Sequence, residues 1–313
     1  MSTRFKPSPE SGVPRKPVRL YTPPASFGGR LWGWRYLILR RVTQIGILLM
    51  FFGTLHWGWQ FMGAPLLRGN LSASDFIGVV PLADPFAVLQ QLVSGHWLHT
   101  TVLLGATILL VFYVIAGRVF CAWVCPMNMV TDLASWLRSK LAINDLFRLS
   151  RSTRYWILAM ALVLSALMGV AAFEWVSPIS MLHREIIYGV GLGLTAALGI
   201  FILDLLILKH GWCGHLCPLG AFYGLLGKKA WLRVRFDDRS CTRCGECARV
   251  CPEPHVLNLR KAAEKGRVDF GECTNCARCI PICPEDSLDF AWRWNVHPAP
   301  QSSNPNQTVR NVK

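Results

Sequence analysis

Twelve cysteines are the residues of this 313-residue chain with a readable chemistry, and eight of them form two copies of C-x-x-C-x-x-C-x-x-x-C-P. The first copy is Cys241, Cys244, Cys247 and Cys251 with Pro252, and the second is Cys273, Cys276, Cys279 and Cys283 with Pro284. Three thiolates two residues apart wrap three corners of one iron–sulfur cube, and the fourth cysteine crosses to the partner cube. That rule assigns Cys241, Cys244, Cys247 and Cys283 to one [4Fe-4S] cluster and Cys273, Cys276, Cys279 and Cys251 to a second. Zinc is the competing tenant. Its sites take ligands as two pairs, however, whereas this spacing supplies three plus one, twice.

The other four cysteines are two copies of C-x-x-x-C-P, at Cys121, Cys125 and Pro126 and at Cys213, Cys217 and Pro218. A separation of four stacks both sulfurs of a pair on one helix face, and the proline after them can open the next helix. Val130, Leu133, Ala134, Leu137 and Leu141 then recur at helical spacing, as do Leu219, Phe222, Tyr223, Leu226 and Ala230. Two amphipathic helices on a membrane interface are expected there. If the halves pack about a pseudo-axis, the four sulfurs converge on a third redox metal site. The alternative is two dithiols that merely pack or cycle through disulfides.

The elements that must position these cysteines read as membrane helices. Only 16% of the chain is charged and 52% is apolar, a balance that excludes an ordinary soluble surface. Residues 42–63, 98–117, 155–173 and 186–208 lack Lys and Arg, and each is about long enough to span ~30 Å of hydrocarbon. Asp204, near Lys209, reads as a solvated helix-end charge. Lys and Arg are concentrated before the first span, between the second and third, and after the fourth, while Arg68 and Arg184 stand alone in the other loops. The positive-inside rule then puts both termini, the middle loop and all twelve cysteines in the cytoplasm, with Trp57, Trp59, Trp97 and Trp175 in an outer aromatic belt and Trp123, Trp156 and Trp212 in an inner one. Thiols in a reducing compartment argue for metal rather than structural disulfides. The net charge of +15 is spread along the cytoplasmic edge, which favours anionic lipid and excludes nucleic acid as partner.

The expected fold is therefore a membrane all-α domain at 36–231, four transmembrane helices arising by internal duplication, plus a small α+β double-cluster ferredoxin domain at 232–290. Residues 1–35, with six prolines, read as a disordered basic cytoplasmic arm, and 291–313 as a flexible tail. A multi-pass protein of a bacterial inner membrane is implied.

Two C-x-x-x-C-P motifs after paired spans, followed by a double-cubane run, resemble the membrane-bound ferredoxin-type family that includes NapH, NosR, MauN and CcoG. The resemblance covers about residues 30–289. It is carried by the stretch 118–133 around Cys121 and Cys125, by the segment 80–86 around Asp84, and by Cys213, Gly214, His215, Leu216, Cys217 and Pro218. The chain lacks the extra C-terminal domain of CcoG and the large external region of NosR, which favours the NapH branch. The resemblance implies quinol dehydrogenation, with electrons passed toward periplasmic nitrate reductase through a NapG-like ferredoxin subunit and a multihaem cytochrome c. Two rival readings are a reductase that matures another metallocentre by reducing copper or cysteine, as CcoG and MauN suggest, and a membrane anchor with structural clusters.

A quinol site needs apolar walls and polar groups that accept protons. The candidates outside the cytoplasmic segments are His56, Asp75, Asp84, His96, His99, His183 and Glu185, with Asp84 and His99 foremost; the bland reading of each is an interfacial residue satisfied by water or backbone. His56 and His99 also invite a bis-histidine haem. Gly189, Gly191, Gly193 and Gly199 leave a smooth face suited to close helix packing.

Overall fold

A computed structural model describes residues 21–22, 26–61, 63–143, 145–147, 149–189 and 191–296. Most of the expected arm and tail lies outside these residues. Helix α1, Phe27–His56, takes in the end of the segment read as an arm, and the last strand runs to Trp292.

The first apolar run is longer as a helix than its Lys- and Arg-free part, because Arg40 and Arg41 stay within α1. Gly58 and Gly63, both at positive φ, then turn the chain into short antiparallel strands: β1 (Gln60–Phe61) with β2 (Ala64–Pro65), and a meander of β3 (Leu67–Gly69), β4 (Ala73–Phe76) and β5 (Val80–Ala83). Asp84 caps α2 (Pro85–Val93), accepting from the Phe86 amide, and Pro85 sits in the first turn, where its missing N–H costs nothing. Next come α3 (Thr100–Ala116), the short α4 (Phe120–Trp123) and α5 (Met127–Leu141). They are followed by α6 (Thr153–Met168), α7 (Ala172–Val176), α8 (Pro178–Tyr188) and α9 (Gly193–Ile202). Two wide π-turn stretches, Leu203–Ile207 and Trp212–Leu216, lead into α10 (Pro218–Gly227).

The expectation of a four-span, all-α membrane domain is overturned. Among the described residues only Phe27–His56 is long and apolar enough to cross a bilayer, and three small sheets accompany the helices. Hydropathy counts apolar residues without seeing where a helix stops. Gly117 (φ 78) ends α3 after 17 residues, and Gly169 (φ 65) ends α6 after 16. At 1.5 Å per residue these reach ~24–26 Å, short of ~30 Å. The fourth run is two helices: Gly189 (φ 69) closes α8 and Gly193 opens α9, where a Cβ would fall 2.4 Å from the Leu182 Cα. The glycines thus break and cross helices rather than line one. Asp204 is also displaced from its expected place at the water. It is fully buried, and its Oδ1 accepts from the Trp212 amide at 3.0 Å.

Two compact units result. The larger comprises Trp34–Trp231 together with Phe270–Cys276. Its core gathers Phe86, Tyr113, Phe120, Cys125, Cys217 and Tyr223. Helix α10 therefore faces protein, burying Leu219, Tyr223 and five other positions, rather than lying on an interface. The smaller unit holds Leu232–Asp269 with the described residues from Ala277 onward and those up to Gly33. Its frame is the ladder of β6 (Leu232–Phe236) and β7 (Leu288–Trp292), with α11 (Glu246–Val250) and α12 (Leu259–Lys265).

Candidate iron–sulfur and redox site

In the smaller unit one recess is lined by Cys241, Cys244, Cys247 and Cys283, with Phe236 and Leu288 of the ladder also lining it. Burial pushes the Cys247 thiol up to about 11, and Cys241, Cys244 and Cys283 add to the rise, so the four sulfurs share one neighbourhood. No three His, Cys, Asp or Glu side chains among the described residues converge as a single metal ion requires. Four thiols set around a recess suit a group of several atoms better than a lone zinc ion, whose thiolates meet at ~2.3 Å from one centre.

Both cysteine runs make the same turn. Two and four residues after the leading cysteine, the backbone is left-handed: Arg243 (φ 55) and Gly245 (φ 83) in the first, Asn275 (φ 48) and Ala277 (φ 59) in the second. Three of these four carry a Cβ that disfavours this region. In the first run the Arg243 N–H reaches the Cys241 sulfur at 3.3 Å. Of the second run, Cys273 and Cys276 belong to the larger unit's segment 270–276, whereas Cys279 and the Cys251 of the first run lie in the smaller unit.

The larger unit brings the four C-x-x-x-C-P cysteines together. Cys125 and Cys217 are buried in the core, with Cys121 packed against them. Burial raises the Cys213 thiol well above its ordinary range, and Cys217, Cys125 and Cys121 each raise it further. Burial likewise lifts Cys125, with Cys121 and Cys217 adding. Amides of Met127 and Asn128 act against this at Cys125, as do those of Gly220 and Leu219 at Cys217, which stands at about 11. These amides belong to the first turns of α5 and α10, whose N-termini favour negative charge on sulfur.

A buried cation completes the group. Arg118, 1% exposed, donates from Nε to the Cys121 sulfur at 3.3 Å, from Nη2 to the Cys213 carbonyl at 3.2 Å and from Nη1 to the Glu272 carbonyl at 3.4 Å. Burial disfavours its charge, but Cys121, Cys217 and Cys213 reverse the balance, and its pKa is raised. Gly220 makes this possible, because a Cβ there would lie 2.4 Å from Arg118 Nη2. Helix α1 fixes the first motif through Gln44, fully buried, whose Nε2 donates to the carbonyl oxygens of Ala122 (3.0 Å) and Cys125 (3.3 Å). A buried guanidinium beside four thiols fits an anionic tetrathiolate cluster, since an unmatched buried charge is expensive.

The quinol candidates separate. Asp84 is buried and its Oδ1 accepts a 2.5 Å hydrogen bond from the Tyr223 hydroxyl, in the same core as Cys125 and Cys217. Burial drives its pKa up to about 6, and the Tyr223 bond works against that rise. His99 instead stands exposed before α3 and makes no capping bond. His183 is buried edge-on to Phe51, and burial lowers its pKa to about 4. His56 Nε2 is engaged by the Ile187 carbonyl at 2.7 Å, Glu185 accepts from the Leu194 amide, and Asp75 and His96 are exposed. Trp123 is no belt residue, because it is half-buried and hydrogen-bonded within the larger unit. Sequence reasoning gave no role to Arg118 or Gly220, and read Tyr223 only as one apolar-face position.

Residues 98–144 and 190–237 each match the 4Fe-4S binding domain family, and residues 233–284 match the 4Fe-4S dicluster domain family. The chain is 47% identical to the methylamine utilization ferredoxin-type protein MauN of Methylorubrum extorquens over 232 residues, 73% of this chain and 79% of that one. It is 47% identical to the ferredoxin-type protein NapH of Escherichia coli over 231 residues, 72% and 79% of the two chains. Against NapH of Haemophilus influenzae the identity is 43% over 232 residues, again 72% and 79%. No solved structure matches.

Proposed function

We propose, from the premise that this chain belongs to the NapH and MauN family of ferredoxin-type proteins, that it is a membrane-associated quinol dehydrogenase subunit. Electron transfer through iron–sulfur clusters is the family's character. The substrate, the number of centres and the acceptor are our reading.

The carrying observation is that Tyr223, which bonds Asp84, lies in one apolar core with Cys125 and Cys217, against which Cys121 packs with Arg118 bonded to it. Quinol oxidation releases two electrons and two protons, so it needs a proton acceptor beside an electron acceptor. Asp84, with a pKa of about 6, is largely ionised near neutrality yet basic enough to take a proton, and the Tyr223 hydroxyl orients it. Cys241, Cys244, Cys247 and Cys283 would hold one [4Fe-4S] cluster, Cys273, Cys276, Cys279 and Cys251 a second, and Cys121, Cys125, Cys213 and Cys217 a third centre. Such clusters supply one-electron storage at potentials set by charge, hydrogen bonding and exposure. Arg118 would supply a countercharge at the third site, where the N-terminal amides of α5 and α10 offset part of the burial that disfavours charge on Cys125 and Cys217.

Membrane association is supported by α1, a long apolar helix with only 22% of its most apolar window buried, and by exposed Leu104, Ile108, Val111 and Phe112 on α3. Lipid and quinone are the expected partners, with the cysteines on the cytoplasmic side and a ferredoxin subunit and multihaem cytochrome c leading to nitrate reductase. Equal identity to MauN favours a second reading, a reductase that matures another metalloenzyme. Anaerobic protein mixed with a reduced quinol analogue separates them. Rapid cluster reduction, blocked by a quinol-site inhibitor, is expected. Copper or disulfide reduction without quinol turnover would establish the second reading in its place.

A further inference from the structure

Segment Phe270–Cys276, which carries the first two cysteines of the second run, is fastened at several points to the first C-x-x-x-C-P motif and to the parts of the larger unit around it. Trp123, between Cys121 and Cys125, donates from its indole N–H to the Asn275 carbonyl at 3.1 Å. Asn275, between Cys273 and Cys276, donates from Nδ2 to the Ala116 carbonyl at 2.8 Å, and its Oδ1 lies 3.5 Å from the Cys273 sulfur. Arg118 bridges the Cys121 sulfur and the Glu272 carbonyl, one peptide from Cys273. The Glu272 carboxylate pairs with the fully buried Arg154 and accepts from the Tyr155 hydroxyl at 2.8 Å. Backbones touch as well, since a Cβ on Gly227 would stand 2.4 Å from the Gly271 oxygen.

Burying two arginines to hold seven residues is costly unless position matters. We infer that this fastening is the electron junction of the protein: the C-x-x-x-C-P site exchanges electrons with the cluster that Cys273 and Cys276 help to hold, through Arg118 and Trp123. The inference rests on the reading of a redox centre at Cys121, Cys125, Cys213 and Cys217. One electron moves per event. The donor centre is oxidised by one and the acceptor reduced by one, no bond forms or breaks, and the quinol supplies the electrons. Tunnelling falls exponentially with distance, so a guanidinium and an indole spanning two motifs set the rate. Both are positioning residues.

The test uses Trp123→Phe, which keeps the ring and removes the N–H, and Arg118→Lys, which keeps the charge and removes the fork. Reduction of the dicluster signals is followed by freeze-quench electron paramagnetic resonance, driven once by a quinol analogue and once by dithionite. Expected is a quinol-driven rate at least about tenfold lower in both variants, as for a misplaced reacting group, with the dithionite-driven rate of the dicluster signals unchanged and, in Trp123→Phe, the iron content unchanged. Unchanged quinol-driven reduction in both variants, or equal slowing under both reductants, overturns the junction. The underlying reading fails separately, on the wild type: about eight irons per chain rather than about twelve would remove a cubane at the C-x-x-x-C-P site.

Discussion

The two C-x-x-x-C-P motifs have the same spacing and match the same domain family, yet they fold differently. The first is an α turn, Phe120–Trp123, and the second a π stretch, Trp212–Leu216. The first brings Arg118 and Trp123 and faces the segment with Cys273. The second brings Gly220, which vacates the space Arg118 occupies, and Tyr223, which reaches Asp84. On the proposed reading, the first half carries the electron junction through Arg118 and Trp123, and the second lends Tyr223 to the proton acceptor Asp84. Each half is built around what the other leaves out.

The largest effect should come from the sulfurs both halves share. Cys125→Ser and Cys217→Ser should each remove about four irons per chain and abolish quinol-driven reduction, while the dicluster signals persist under dithionite. Equal loss of all iron would show that the halves and the dicluster run are not separate sites.

Next in size is the exchange of matching positions after the prolines, Asn128 in the first half and Gly220 in the second. Gly220→Val drives a side chain into Arg118 and should lower the quinol-driven rate about tenfold or more. Asn128→Ala loses only a 3.3 Å bond with Gln44 and should leave the rate within about twofold. Stopped-flow bleaching of the cluster absorbance measures both.

On the proton side the effect is a pH shift. The rate should climb as pH rises through about 6, because Asp84 accepts a proton only when ionised. Asp84→Asn should flatten that limb. Tyr223→Phe should move it to higher pH, because the tyrosine hydroxyl holds the Asp84 pKa down. A limb indifferent to both variants would take Asp84 out of the chemistry.

The smallest effect lies on the exposed edge of the smaller unit. Arg249 pairs with Glu246 while 70% exposed, and Arg249→Ala should cost less than about 0.5 kcal/mol in denaturant unfolding. The contrast with Arg118 measures what burial adds to a guanidinium.

Cysteine spacing made the dicluster run legible, because ligand geometry demands three sulfurs at fixed intervals whatever surrounds them. The recess gathers Cys241, Cys244, Cys247 and Cys283 from positions 42 residues apart at the extremes. Helix ends were not legible. Gly117, Gly169 and Gly189 look harmless in an apolar window, yet each adopts a positive φ that stops a helix. Asp84 and His99 look alike on paper, two polar residues near the start of apolar helices. Burial separates them, and burial depends on partners far along the chain, such as Tyr223 at a distance of 139 residues. Arg118 had a local signal, a lone cation three residues before a cysteine in an apolar run, but its partners Cys213 and Glu272 lie 95 and 154 residues away.

Arg243, Asn275 and Ala277 hold a left-handed backbone shape that costs energy. Around Asn275 the hydrogen bonds from Trp123 and to Ala116 brace that shape, so the spacing between Cys273 and Cys276 is set by the surrounding protein as well as by any ligand they hold.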